Sequence, residues 1–131
     1  MNILVVEDKK VVQEKLAGLL TSQGHSVDIA INGLDALEKV QKADYQLFVI
    51  DHLMPLMNGI QLTKNLKNNP SLVNAPVIFM TTQGAHTLKN LPEFEFFHSV
   101  IDKPIDEALF NNMIADFTPS ITEYETLPLN A

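Results

Sequence analysis

Five short apolar runs separated by helical patterns constrain this chain more than any other feature. The runs fall at 2–6, 26–30, 46–50, 77–80 and 99–101. The first, NILVV, is apolar and β-branched and stops at two acids, Glu7 and Asp8, as a buried strand does. The second alternates, and the third is apolar on both faces. Between the runs, Val12, Leu16, Leu19 and Leu20 fall at helical spacing until Gly24 ends the pattern. Asn32-Gly33 reads as a turn or cap before Leu34, Leu37 and Val40, and Gly59 opens a third helical stretch that gives out near Asn68-Asn69-Pro70. A fourth helix is expected from about Gly84, ended by Pro92, and a last one over 105–117. Continuous apolar strands alternating with helices make a parallel sheet covered on both faces. The expected fold is therefore α/β, a doubly wound five-stranded parallel sheet with helices on both faces. All strand C-termini then share one edge, where ligands bind at the point of strand-order reversal. Residues 118–131 hold two prolines and two glutamates without apolar period and read as a flexible C-terminal tail.

The totals exclude several classes of function. A net charge of −7 argues against non-specific binding to nucleic acid or anionic membranes. The absence of cysteine removes disulfides and thiol chemistry. No basic leader precedes residues 2–6, and no apolar run approaches the ~20 residues of a membrane span, so a cytoplasmic location is expected.

The strand ends carry the chemistry. The first run delivers Glu7 and Asp8, the third Asp51, the fourth Thr81 and Thr82, and the fifth Asp102-Lys103-Pro104. In a parallel sheet these gather on one rim. Three acids brought together repel, which raises the pKa of at least one unless a cation intervenes. Hard oxygen ligands with neither Cys nor paired His suit Mg²⁺ better than zinc. A carboxylate nucleophile, a metal, a lysine and a threonine hydroxyl together equip a site for phosphoryl transfer. Strand alternation sends one of Thr81 and Thr82 into the site and the other elsewhere. A cis Lys103–Pro104 bond would aim the lysine back into the site. His25, His52, His86 and His98 match no metal spacing and read as surface or loop residues.

With VVED after the first strand, DHLMPLMNG after the third, MTT after the fourth and DKP after the fifth, residues 1–117 resemble the receiver domain of two-component response regulators. The intervals agree: 30 positions from Asp51 to Thr81 and 22 from Thr81 to Lys103. The resemblance implies a stand-alone receiver with the flavodoxin-like strand order 2-1-3-4-5. It implies that Asp51 accepts a phosphoryl group from a histidine kinase or phosphotransfer protein. Mg²⁺ would be held by Asp8, Asp51 and the backbone carbonyl of Leu53, with Glu7 acting through water. Thr81 would bond the phosphoryl group and move when it arrives, and Lys103 would pair with a phosphoryl oxygen. Such a domain is a signalling phosphoacceptor rather than an enzyme, although it assists its own phosphoryl transfer and dephosphorylation. Its output would be binding of a downstream protein, and a homodimer could form through the face from the fourth helix to the fifth.

The chain departs from the family pattern at three places. Val100 stands where many receivers carry an aromatic switch residue, and its stiff, small side chain puts that readout in doubt. Thr82 replaces a small residue and would narrow access to Asp51. Residues 88–98, with Phe94, Phe96 and Phe97, replace the usual helix and turn. These rings are expected to fill the core left by a shortened helix, the rival being a non-standard docking or dimer face. The departures at Val100 and Thr82 motivate a second reading, a phosphorylation-independent adaptor on the same fold. A flavodoxin-like cofactor binder would need a Ser/Thr/Gly-rich loop where Glu7-Asp8-Lys9-Lys10 stands. A haloacid-dehalogenase-type phosphatase would need a second Asp where Leu53 stands.

Overall fold

The computed structural model of the chain describes residues 1–117, so the tail assigned to 118–131 lies outside the described residues. The elements run β1 (Asn2–Val6), α1 (Lys10–Ser22), β2 (Ser26–Ala30), α2 (Gly33–Lys39), β3 (Leu47–Asp51), α3 (Gly59–Lys67), β4 (Val77–Thr81), two 3₁₀ turns (Ala85–Leu88 and Pro92–Phe96), β5 (Ser99–Asp102) and α4 (Glu107–Ala115). All strands pair in parallel in the order β2-β1-β3-β4-β5, as expected. Among the described residues, no helix is long and apolar enough to cross a membrane.

Strand alternation divides the core in two. Ile3, Val5, Leu47, Val49, Ile78 and Met80 face α1 and α4, packing with Leu16, Leu20, Phe110 and Ile114. Leu4, Val6, Phe48, Ile50, Val77 and Phe79 face the other way, onto α2, α3 and the 3₁₀ segment. A period of two in a strand buried on both sides requires this division. Helix starts are fixed locally. The Asn58 side chain accepts from the Gln61 N–H while Gln61 Oε1 accepts from the Asn58 N–H, a capping box that opens α3 immediately after the loop from β3. Asn32 and Asp106 cap α2 and α4 in the simpler way.

The helix expected from about Gly84 to Pro92 is not α-helical: two 3₁₀ turns, Ala85–Leu88 and Pro92–Phe96, stand in its place. Gly84 enters with φ 86° and ψ 121°, outside the right-handed helical region. Leu91 is extended (φ −77°, ψ 140°), as the residue before a proline prefers, and Pro92 starts a fresh 3₁₀ turn. One short turn therefore stands on each side of this break. Phe97 fills the space beneath, its ring stacked on Phe79 at 4.1 Å and 15°, with Phe94 edge-on to it at 6.4 Å. Both rings belong to the core on that side of the sheet, and Val100 packs against the same cluster.

Candidate functional site

The order β2-β1-β3 places the reversal point between β1 and β3, and the acids stand at the C-terminal ends of those two strands. Glu7 follows β1 and is fully buried, Asp8 next to it is exposed, and Asp51 ends β3 at 4% exposure. Oxygens from the three carboxylates lie within 4.8 Å of one another. Lys103, just past β5, closes the site. Its Nζ donates to Glu7 Oε1 at 2.8 Å and to Asp51 Oδ1 at 3.1 Å. The Lys103 N–H donates to the Thr81 carbonyl at 2.8 Å, tying the loop after β5 to the end of β4. The Lys103–Pro104 bond is cis.

Electrostatics follow from burial and from this bridge. Burial pushes the Glu7 carboxyl above its ordinary value of 4.5, and Asp51 and Asp8 add to the rise. The Lys103 ammonium and the Lys9 N–H hold it back. Burial alone would lower Lys103, but the hydrogen bond to Glu7 and the charges of Asp51 and Glu7 outweigh it and raise the ammonium above 10.5. One buried cation thus balances part of the charge of three acids, which leaves a net negative cleft lined with hard oxygen donors. That donor set fits a small divalent cation such as Mg²⁺ and offers nothing to a thiophilic metal.

Thr81 is fully buried and Thr82 is exposed. The Thr81 hydroxyl accepts from the Gln83 N–H at 3.0 Å and shares a 2.8 Å hydrogen bond with His52 Nδ1. His52 is therefore not a surface residue. It is 9% exposed, and its ring sits 5.3 Å from that of Phe79. Burial lowers its pKa despite the neighbouring Asp51, so the imidazole is neutral at neutral pH. The signal for this was present in the alternation. Residues 48 and 50 share a side of the sheet with residues 77 and 79, and continuing each strand by two brings 52 and 81 to that side. His25 is also buried, at 7%, its Nδ1 2.9 Å from the Met1 ammonium. The start of β2 lies beside the start of β1, so the ring packs against the N-terminus instead of facing solvent. His86 and His98 are exposed as expected. Leu53 is half-exposed in the loop after Asp51.

The family model for the response regulator receiver domain matches residues 3–115. The chain belongs to the receiver domain family. Protein PilH of Pseudomonas aeruginosa is 31% identical over 105 residues, which cover 80% of this receiver and 87% of PilH. Response regulator RR06 of Streptococcus pneumoniae is 33% identical over 90 residues, 69% of this receiver and 40% of that protein. Among solved structures, response regulator TrrA of Thermotoga maritima superposes with a TM-score of 0.78 at 23% identity, covering 88% of this receiver and 96% of that chain. The receiver spans about half the length, or less, of the first curated relatives it matches. Receivers are the phosphoacceptor modules of two-component signalling. They interact with histidine kinases or phosphotransfer proteins upstream and with effectors downstream.

Proposed function

We propose that Asp51 is the phosphoacceptor of this receiver. The observation that carries this reading is the Lys103 ammonium shared between Glu7 and Asp51 at 2.8 and 3.1 Å, which sets a cation directly against the Asp51 carboxylate in the acidic cleft. In the transfer, an Asp51 carboxylate oxygen forms a bond to phosphorus as the bond from phosphorus to the donor nitrogen or oxygen breaks. A phosphohistidine donor leaves as the imidazole of its histidine, and acetyl phosphate leaves as acetate. Lys103 is then placed to turn from Glu7 toward a phosphoryl oxygen, and the Thr81 hydroxyl is the donor for another. By this arrangement the domain assists its own phosphoryl transfer and dephosphorylation.

Asp8, Asp51 and the Leu53 carbonyl would hold Mg²⁺, with Glu7 acting through water. TrrA was solved in complex with Mg²⁺ and a beryllium fluoride, and the carboxylate cluster here suits the same ion. When bound, the cation neutralises carboxylate and phosphoryl charge together. The histidine kinase or phosphotransfer protein is the upstream partner of this reading, and a protein that distinguishes the two states is the downstream one.

Incubation with acetyl phosphate and Mg²⁺ is expected to add one phosphoryl mass to the intact protein. Asp51→Asn and chelation of Mg²⁺ should each abolish the addition. A phosphoryl group that survives Asp51→Asn would refute the assignment. The reading extends to a homodimer through the face running from the 3₁₀ turns to α4. Light scattering should then show a larger species with beryllofluoride than without, and an unchanged monomer would remove that extension.

A further inference from the structure

The hydrogen bond between His52 and Thr81 has no part in the chemistry above, yet it engages the hydroxyl on which that chemistry depends. A threonine hydroxyl has one proton and two lone pairs. One lone pair is taken by the Gln83 N–H at 3.0 Å. The remaining 2.8 Å contact is His52 Nδ1. A phosphoryl oxygen can only accept, so Thr81 must offer it the proton. His52 is held in place for its contact: the His52 N–H continues the β3 ladder by donating to the Met80 carbonyl at 2.8 Å, and the ring packs 5.3 Å from Phe79.

We propose that His52 is a positioning residue that accepts the Thr81 hydroxyl proton in the resting state, so that Thr81 must leave His52 before it can bond a phosphoryl group on Asp51. The proposal rests on Asp51 being the acceptor. It makes His52 a brake on the switch: the resting state keeps a buried hydrogen bond that the phosphorylated state gives up. Substitutions at position 52 then alter how readily the site is occupied without touching the reacting atoms.

The test uses beryllofluoride with Mg²⁺ as the phosphoryl mimic. Wild type is titrated first, with Asp51→Asn as the control. His52→Phe keeps a ring against Phe79 but lacks Nδ1, and should bind the mimic about two- to ten-fold more tightly, the range of one net hydrogen bond. His52→Asn restores a polar partner and should return the affinity toward wild type. In wild type labelled with ¹⁵N, the Nδ1 resonance should be that of an unprotonated imine nitrogen hydrogen-bonded in the free protein, and it should shift on saturation. Equal or weaker binding by His52→Phe overturns the proposal, as does a protonated Nδ1 in the free protein. The ¹⁵N measurement decides the matter even if the Phe variant does not fold. Failure of wild type to bind the mimic through Asp51 refutes the phosphoacceptor reading itself, and this proposal with it.

Discussion

Replacing Lys103 with methionine is expected to remove phosphoryl uptake and to cost stability of about 3–5 kcal/mol at neutral pH in metal-free buffer, the range for stripping one partner from a buried ion pair. The side chains concerned are 10%, 0% and 5% exposed for Lys103, Glu7 and Asp51, so water does little to compensate. Methionine keeps most of the stem and removes the charge. The pH dependence has a defined sign. Glu7 is already raised above 4.5 by burial, and Lys103 is its largest opposing influence, so losing the lysine raises Glu7 further. A group with a raised folded-state pKa favours the fold in its protonated form, and that contribution is lost as pH rises through the folded value. The deficit of Lys103→Met is therefore greatest at neutral pH and shrinks as pH falls through the elevated pKa of Glu7. Mg²⁺ should restore part of it at neutral pH by replacing the missing cation. Denaturant unfolding of both proteins at neutral and mildly acidic pH, with and without Mg²⁺, reads all three. A deficit that does not change with pH or Mg²⁺ would mean that the lysine acts through packing alone.

Gly59→Ala is expected to damage the fold as well, for a steric reason. A Cβ at Gly59 would overlap the backbone carbonyl oxygen of Asp51, with the carbonyl carbon at 3.0 Å and the edge of the Phe79 ring at 2.8 Å. None of these can move aside freely, because two are the backbone of β3 and the third is a fully buried core ring. The Gly59 N–H also donates to the His52 carbonyl at 2.8 Å, closing the loop that carries Leu53 to Asn58. Alanine would gain ~1 kcal/mol from helix propensity, but overpacking of this kind costs about 3 kcal/mol or more. The expected net result is a melting temperature lower by about 10 °C and weaker Mg²⁺ binding, since the displaced atoms are those of Asp51. Gly18→Ala in α1 is the control: nothing lies within 4 Å of its added Cβ, so it should be neutral or stabilising. Thermal unfolding of the two variants side by side tests the steric cost of the close approach at Gly59. Equal melting temperatures would refute that cost.

Much of the fold was legible because strand and helix periodicity are local properties. The five runs became the five strands to within a residue or so at each end, with Asp51 and Thr81 as the last residues of β3 and β4. The segment after Gly84 was not legible as what it is. Pro92 marked the stop, but a helical reading cannot tell one α-turn from two separate 3₁₀ turns. The break sits where Gly84 takes a φ of 86° and Leu91 is extended before Pro92, and Phe97 stacks on Phe79 in the space beneath. His52 was misread for a similar reason: a histidine after an acid looks like loop, and its partner Thr81 stands on another strand.

The sequence by itself determined the alternation of strands and helices, and with it the gathering of Glu7, Asp8, Asp51, Thr81 and Lys103 at one edge. A parallel sheet sends every strand's C-terminus the same way, however far apart those residues lie along the chain. Only the tertiary structure decided which of those groups touch: Lys103 on both Glu7 and Asp51, Thr81 on His52, Gly59 against the carbonyl of Asp51. These pairings depend on distances of a few ångströms between neighbouring strands and loops, and packing sets such distances where periodicity does not.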